Sequence, residues 1–322
     1  MRPSDGELEE ALASALTGAG LGDPGRIERR SSPYRTSFPI EELRVELAGR
    51  GTVRLGCKRL DWEELEPQAQ LAKPRFMHDP GREPAVYRLL LPQAPAGPPE
   101  FFGAVLDEDR HWLFIEWVEG RELHQVGERG LWEAAASWLG RLHVELASEV
   151  ERAASIRLFD RDAAFYRRWI ERAREFARAP GRPQGHAALV EWLAERHEAV
   201  VEALLALPRT VVHGEFYASN VLIANDAAQP RVAPVDWELA SVGPGVGDLA
   251  ALVSGGWGEE DRMAIAAAYG EVPGASLAGL DFARLQVAIQ WLGWAPPEWE
   301  PPEGQRHDWA AEAAALAEGL GL

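Results

Sequence analysis

The sequence predicts an α+β protein of two lobes, the first built on an antiparallel sheet and the second mostly helical. Three observations carry this expectation. With 322 residues, the chain exceeds what one small core can serve, so a division in two is natural. Its first third alternates apolar and polar residues in short runs closed by glycine or acidic turns, the period of β-strands. After Gly120 the apolar residues recur at helical spacing, interrupted by one β-like segment near 209–238.

The elements follow in order. Residues 5–18 (DGELEEALASALTG) read as a short helix capped by Ser4 or Asp5 and stopped by glycine. A strand is expected at 26–31. Leu43, Val45 and Leu47 alternate up to Ala48-Gly49-Arg50-Gly51, and Val53, Leu55 and Cys57 continue beyond it, a hairpin by pattern and turn chemistry. Residues 83–92 (EPAVYRLLLP) have helical spacing and stop before Pro92. Two strands, about 101–107 and 111–117, flank the acidic turn Asp107-Glu108-Asp109. Helices are expected at 131–150, 163–178 and 187–207. Strand-like RTVVHGEFYASNVLIAND comes next, then a second short strand, RVAPVDWE. GDLAALVSGG opens another helix, and at least three helical stretches complete the chain. The expected division is residues 1–115 for the β-rich lobe, 116–120 for a hinge and 121–322 for the helical lobe.

Composition narrows the function. With 51 acidic and 33 basic residues the net charge is −18, so nucleic acid, which needs a basic footprint, is excluded as a partner. The same field favours a cationic small molecule. A single cysteine, Cys57, rules out an internal disulfide framework and any multi-cysteine zinc cluster. The N-terminus has no apolar signal core and no stretch is long enough to span a membrane, so a cytoplasmic protein without a membrane partner is expected. Only two of the basic residues are lysines, Lys58 and Lys73. A lysine retained where arginine is the rule is a candidate for a task that a wide planar head cannot perform.

The chemistry concentrates near residue 215. An apolar strand ends in His213-Gly214; Glu215 follows, then Asn220, then another apolar strand. Some fourteen residues later Asp236 stands at the end of the second short strand. If the two strands pair, Glu215, Asn220 and Asp236 cluster. An amide with one or two carboxylates suits Mg²⁺, a hard cation that prefers oxygen. Read singly, each of these residues is as well explained as a turn cap.

Together the motifs resemble the aminoglycoside phosphotransferase family, which is similar to choline kinases and has the protein-kinase-like fold. HGExxxxN, then VDWE, then Gly247-Asp248 at a helix start resemble its pattern, with Glu215 in the place of an aspartate. Upstream, Trp138-Leu139-Gly140-Arg141-Leu142-His143 and Leu113–Gly120 resemble its leucine-histidine helix and its hinge. The resemblance covers about residues 26–260. It implies a phosphotransferase moving the γ-phosphate of ATP or GTP to a hydroxyl of an aminoglycoside, amino alcohol or sugar, with Mg²⁺. Asp236 and Asn220 would hold metal, and Glu215 would orient the acceptor and take its proton. His213 would buttress the loop, and Asp248 would cap its helix while bracing that loop.

The first lobe would hold the nucleotide. Alternation along 53–60 puts Val53, Leu55 and Cys57 on one face and Arg54, Gly56 and Lys58 on the other. Lys58 would then pair with phosphates, Gly56 would leave room for an adenine ring, and Glu83 would pair with Lys58. Lys58 is otherwise a solvated strand end, and Glu83 otherwise complements its helix dipole. Glu116, Trp117 and Val118 form the implied hinge contact. Ser31 and Ser32 stand where the family's phosphate loop should be, without its glycines. Lys73, in a proline-flanked loop, receives no role.

The clearest departure is Glu215, where the family pattern has aspartate. The extra methylene shifts the carboxylate by roughly one bond, and a misplacement of about 1 Å can cost on the order of 10²-fold. A pseudokinase that binds nucleotide with weakened or lost catalysis is therefore the alternative, and a scaffold without a nucleotide site the second. For the acceptor, Trp294, Glu298 and Trp299 are candidates, because aromatics interleaved with carboxylates bind amines or sugars. A tryptophan-anchored proline loop packing on the core explains them slightly better.

Overall fold

The computed structural model describes residues 4–31, 37–180, 185–224, 230–294, 296 and 307–322. The chain opens on α1 (Asp5–Gly18), and Ser4 rather than Asp5 caps it. The Ser4 hydroxyl accepts the Glu7 N–H while the Glu7 carboxylate accepts the Ser4 N–H at 2.8 Å, a reciprocal capping box. Strands β1 (Pro24–Ser31), β2 (Ile40–Leu47), β3 (Gly51–Arg59), β4 (Phe101–Leu106) and β5 (His111–Glu116) form one antiparallel sheet, ordered β1-β2-β3-β5-β4. β2 and β3 are the hairpin marked by the alternation, closing at Leu47 opposite Gly51.

Alternation separates the two faces of β3. Leu55 and Cys57 bury against Leu8, Leu12 and Leu16, so α1 covers one face of the sheet. Lys58 projects from the other face, toward the connection between β3 and β4. That connection holds α2 (Pro67–Ala72) and α3 (Arg82–Leu89). α3 is the helix expected at 83–92, and a 3-10 turn containing Pro92 follows it. α2 is too short to write a periodic signal.

The chain continues with β6 (Gly120–Glu122), α4 (Arg129–Glu145), α5 (Val150–Ala154) and β7 (Phe159–Asp160). It continues with α6 (Ala163–Ala177), α7 (His186–Leu205), β8 (Arg209–Val212), β9 (Val221–Ala224), β10 (Arg231–Pro234) and β11 (Ser241–Pro244). Helices α8 (Val246–Val253), α9 (Glu259–Gly270), α10 (Leu280–Trp294) and α11 (Trp309–Gly319) complete it. The strand-like segment at 209–224 divides between two small sheets. β9 pairs with β10 as an antiparallel hairpin and with β6 on its other side, whereas β8 pairs with β11.

The core explains how these pieces meet. One apolar cluster joins Phe38, Val86, Tyr87 and Leu113 to Trp138 and Leu142 of α4 and to Phe216, Val221 and Trp237 beside the β9-β10 hairpin. A second packs α6, α7, α8, α10 and α11 around Trp169. Among the described residues no helix is long and apolar enough to cross a membrane.

Candidate active site

Lys58, near the end of β3, is the hub. Its ammonium donates to Glu83 Oε2 at 2.8 Å and to Asp236 Oδ1 at 2.6 Å. Glu83 lies in the first turn of α3 and Asp236 just past β10, 178 positions from Lys58. Glu83 also accepts the Trp237 N–H through Oε1 at 3.1 Å, clamping α3 to the acidic stretch. Lys58 and Glu83 are only 4% and 1% exposed, so neither is a solvated end nor a mere dipole partner. Burial works against the Lys58 charge, but Asp236 and Glu83 outweigh it and keep the ammonium protonated. Burial pushes the Glu83 carboxyl up to about 7, against Lys58 and with Asp236. For Asp236, Lys58 outweighs burial and holds the carboxyl below its usual range.

The loop from β8 to β9 is braced from beneath. Gly214 adopts φ +96°, and a Cβ there would lie 2.1 Å from the Leu239 carbonyl oxygen, so only glycine fits. Asp248 accepts the His213 N–H at 2.6 Å and the Gly214 N–H at 2.9 Å, one on each oxygen. His143 Nε2 lies 3.2 Å from Asp248, and Tyr269 OH 2.9 Å from His143 Nδ1. Asp248 does not cap α8: the cap position is Gly245 and has no side-chain bond. Both oxygens face the loop rather than the helix end. His213 Nδ1 accepts the Glu215 N–H at 3.3 Å, which assigns its proton to Nε2, facing the Val235 carbonyl at 2.9 Å. His213 thus ties the loop to the residue before Asp236.

Asp236 itself is the single non-glycine residue with positive φ among those described, at φ 65° and ψ 63°. Asn220 Nδ2 donates to the Glu215 carbonyl at 3.0 Å, and Val235 N–H donates to the Asn220 carbonyl at 2.9 Å. Asn220 Oδ1 and Asp236 Oδ2 make no hydrogen bond among the described residues. Among the described residues no group of three or more His, Cys, Asp or Glu forms a metal cage. One carboxylate and one amide oxygen, both unspent, fit a hard cation that keeps its waters, such as Mg²⁺.

Glu215 is half-buried, and its carboxyl makes no hydrogen bond among the described residues. Burial pushes that carboxyl up to about 8, with Glu238 adding to the shift and Lys73 opposing it.

The other expected contacts sort differently. Gly56 faces the Trp117 ring, where a Cβ would meet Cε3 at an ordinary 3.7 Å. The Trp117 N–H is spent on the Arg54 carbonyl at 3.0 Å. The Glu116 carboxylate is forked by Arg231 at 2.7 Å to each oxygen. Trp117 therefore offers a ring rather than its amide, and Glu116 has a structural partner; Val118 lies just beyond. Ser31 is exposed, opposite Glu41, which pairs with Cys57, so it shares the Lys58 end of the sheet two strands away. Ser32 lies outside the described residues. So do Glu298 and Trp299. Trp294 stacks on Trp169 at 5.7 Å within the α6–α10 core, which is the packing explanation. Trp291, one turn earlier, meets Tyr217 at 5.5 Å, two residues from Glu215.

Sequence reading missed Lys73. It is 4% exposed and ion-paired to Glu238. Its rarity was the available signal, and an unperiodic setting hid it.

Residues 70–286, about two thirds of the chain, match the model of the phosphotransferase enzyme family. The chain belongs to that family. This phosphotransferase-family protein also resembles solved structures at low identity. A choline/ethanolamine kinase family protein from Mesorhizobium loti is 16% identical, with a TM-score of 0.59 over 98% of this chain and 93% of that one. An aminoglycoside 2′-phosphotransferase in complex with GDP is 16% identical, with a TM-score of 0.56 over 94% and 95%. A spectinomycin phosphotransferase in complex with ADP and spectinomycin is 13% identical, with a TM-score of 0.54 over 98% and 95%. No curated protein matches the sequence. The likeness fixes the bilobal protein-kinase-like fold.

Proposed function

We propose that the protein transfers the γ-phosphoryl group of ATP or GTP to a hydroxyl of a small molecule, an aminoglycoside, amino alcohol or sugar. One observation carries the reading: Lys58, Glu83 and Asp236, from three distant elements, converge in a buried ion cluster beside Glu215 and Asn220. The β-rich lobe (residues 1–115) would hold the nucleotide, residues 116–120 would serve as the hinge, and residues 121–322 would supply the reacting loop and the acceptor site. The net charge of −18 favours a cationic acceptor.

Each residue has a task that phosphoryl transfer requires. Lys58, kept protonated and aimed by Glu83, binds the α- and β-phosphate oxygens. The ring of Trp117 borders the base. Asp236 and Asn220 would be the oxygen donors for Mg²⁺, which would supply neutralisation of phosphate charge. In its ionised form Glu215 accepts the hydrogen bond of the acceptor hydroxyl, orients it in line, and takes its proton. The acceptor oxygen bonds to the γ-phosphorus as the bond to the β-phosphate oxygen breaks, and the nucleoside diphosphate leaves. His213 and Asp248 hold the loop in shape throughout.

The second reading is a nucleotide-binding protein with weakened or lost transfer, favoured by the raised Glu215 carboxyl. A phosphorylation screen with Mg-ATP and Mg-GTP over aminoglycosides, macrolides, amino alcohols and sugars tests the two. Transfer to one class supports the first. Nucleotide binding with neither transfer nor hydrolysis supports the second.

A further inference from the structure

Both lysines of this chain are buried in one place, although 31 of its 33 basic residues are arginines. They share the Phe38 ring, with Lys58 Nζ 5.4 Å and Lys73 Nζ 5.1 Å from its centroid. Each pairs with a carboxylate of one three-residue stretch, Lys58 with Asp236 and Lys73 with Glu238. The residue between them, Trp237, is fully buried and donates its N–H to Glu83. The Glu238 carbonyl accepts from Arg82. Residues 236, 237 and 238 are thus each gripped by a side chain from positions 58–83. At two other buried carboxylates the partner is arginine: Arg29 meets Glu41 and Arg54 meets Glu42. At Lys73 a compact ammonium meets both the Phe38 ring and Glu238.

We propose that Lys73 is a positioning residue for the transfer step. By holding Glu238 it fixes the stretch Asp236-Trp237-Glu238, and so sets where the Asp236 carboxylate stands relative to Glu215. The proposal rests on the phosphotransferase reading above. Without the ammonium, Glu238 is a buried carboxylate stripped of its ion-pair partner, which is costly. It turns outward or takes up a proton, and the stretch relaxes. Asp236, two residues away, moves with it, and a displacement of about 1 Å lowers the rate on the order of 10²-fold. Lys58 keeps Glu83, so nucleotide affinity is retained.

The test compares wild type, Lys73→Met and Lys73→Met/Glu238→Gln. Phosphate release from Mg-ATP and Mg-GTP gives kcat and KM with water as acceptor. Calorimetry with Mg-ADP and Mg-GDP gives Kd, and a melt gives Tm. Lys73→Met is expected to lose on the order of 10²-fold in kcat with KM and Kd within about threefold. The double variant removes the unpaired buried charge, so its Tm recovers while kcat stays low. If kcat returns together with Tm, the role is only structural and the proposal falls. It falls equally if Lys73→Met keeps the wild-type kcat, or if its loss is all in Kd, which would make Lys73 a nucleotide ligand. A wild type that binds neither nucleotide refutes the phosphotransferase reading itself, a result distinct from each of these.

Discussion

Asp236→Asn separates chemistry from folding. The change swaps one oxygen for nitrogen and removes one charge. The left-handed backbone at φ 65° suits asparagine as readily as aspartate, so no strain is added. Lys58 keeps Glu83 at 2.8 Å, and two carboxylates around one ammonium become a balanced pair. Because Lys58 holds the Asp236 carboxyl below its usual range, the ionised form stabilises the fold, and the neutral amide is expected to lower the melting temperature without unfolding the protein. The rate suffers more. A carboxylate about 4 Å from a positive charge is worth about 4 kcal/mol at an effective dielectric constant of about 20. At about 1.4 kcal/mol per tenfold, its loss slows transfer about 10³-fold. Phosphate release from Mg-ATP and Mg-GTP beside a thermal melt reads both quantities. A well-folded variant that keeps more than about a tenth of the wild-type rate refutes the metal assignment.

Three further outcomes follow from the same geometry. Glu215→Asp is expected to keep or raise the transfer rate, because the carboxylate survives on a shorter arm, whereas Glu215→Gln loses it; equal rates in all three would remove Glu215 from the chemistry. Gly214→Ala drives a methyl against the Leu239 carbonyl at positive φ and is expected to cost at least about 3 kcal/mol in denaturant unfolding. Gly130→Ala, in open space on α4, is the control expected to change little. His78 has its pKa pushed down from 6.5 to about 4 by burial, with Arg75 and Lys73 adding. Because the folded value lies below the unfolded one, its contribution is whole above pH 6.5 and disappears as pH falls toward 4. Stability should fall by on the order of 2–3 kcal/mol across that window, and His78→Gln should flatten this part of the curve.

Much of this molecule was legible because its elements carry strong local periods. The β2-β3 hairpin announced itself through Leu43, Val45, Leu47 and their partners across a glycine turn, and the same alternation separated Cys57 from Lys58. The long helices α4, α6 and α7 were equally plain. What escaped is what tertiary contact creates. β6 is three residues whose strand character comes from pairing with β9. RVAPVDWE reads as one strand, yet β10 stops at Pro234 because Asp236 turns left-handed to meet Lys58. Asp248 looks like a helix cap in sequence, but the amides of His213 and Gly214 claim it. Lys73 lies beside a proline with no period around it, and only the fold delivers it to Glu238.

A divalent ion and a nucleoside triphosphate are expected to meet at Lys58 and Asp236. Anomalous scattering from a crystal grown with Mn²⁺ and a non-hydrolysable ATP or GTP analogue measures this most directly. A manganese peak bonded to oxygens of Asp236 and Asn220, with the Lys58 ammonium on the phosphates, is the expected result. A nucleotide seated elsewhere, or bound with Lys58 still holding Asp236 and no metal there, would contradict it.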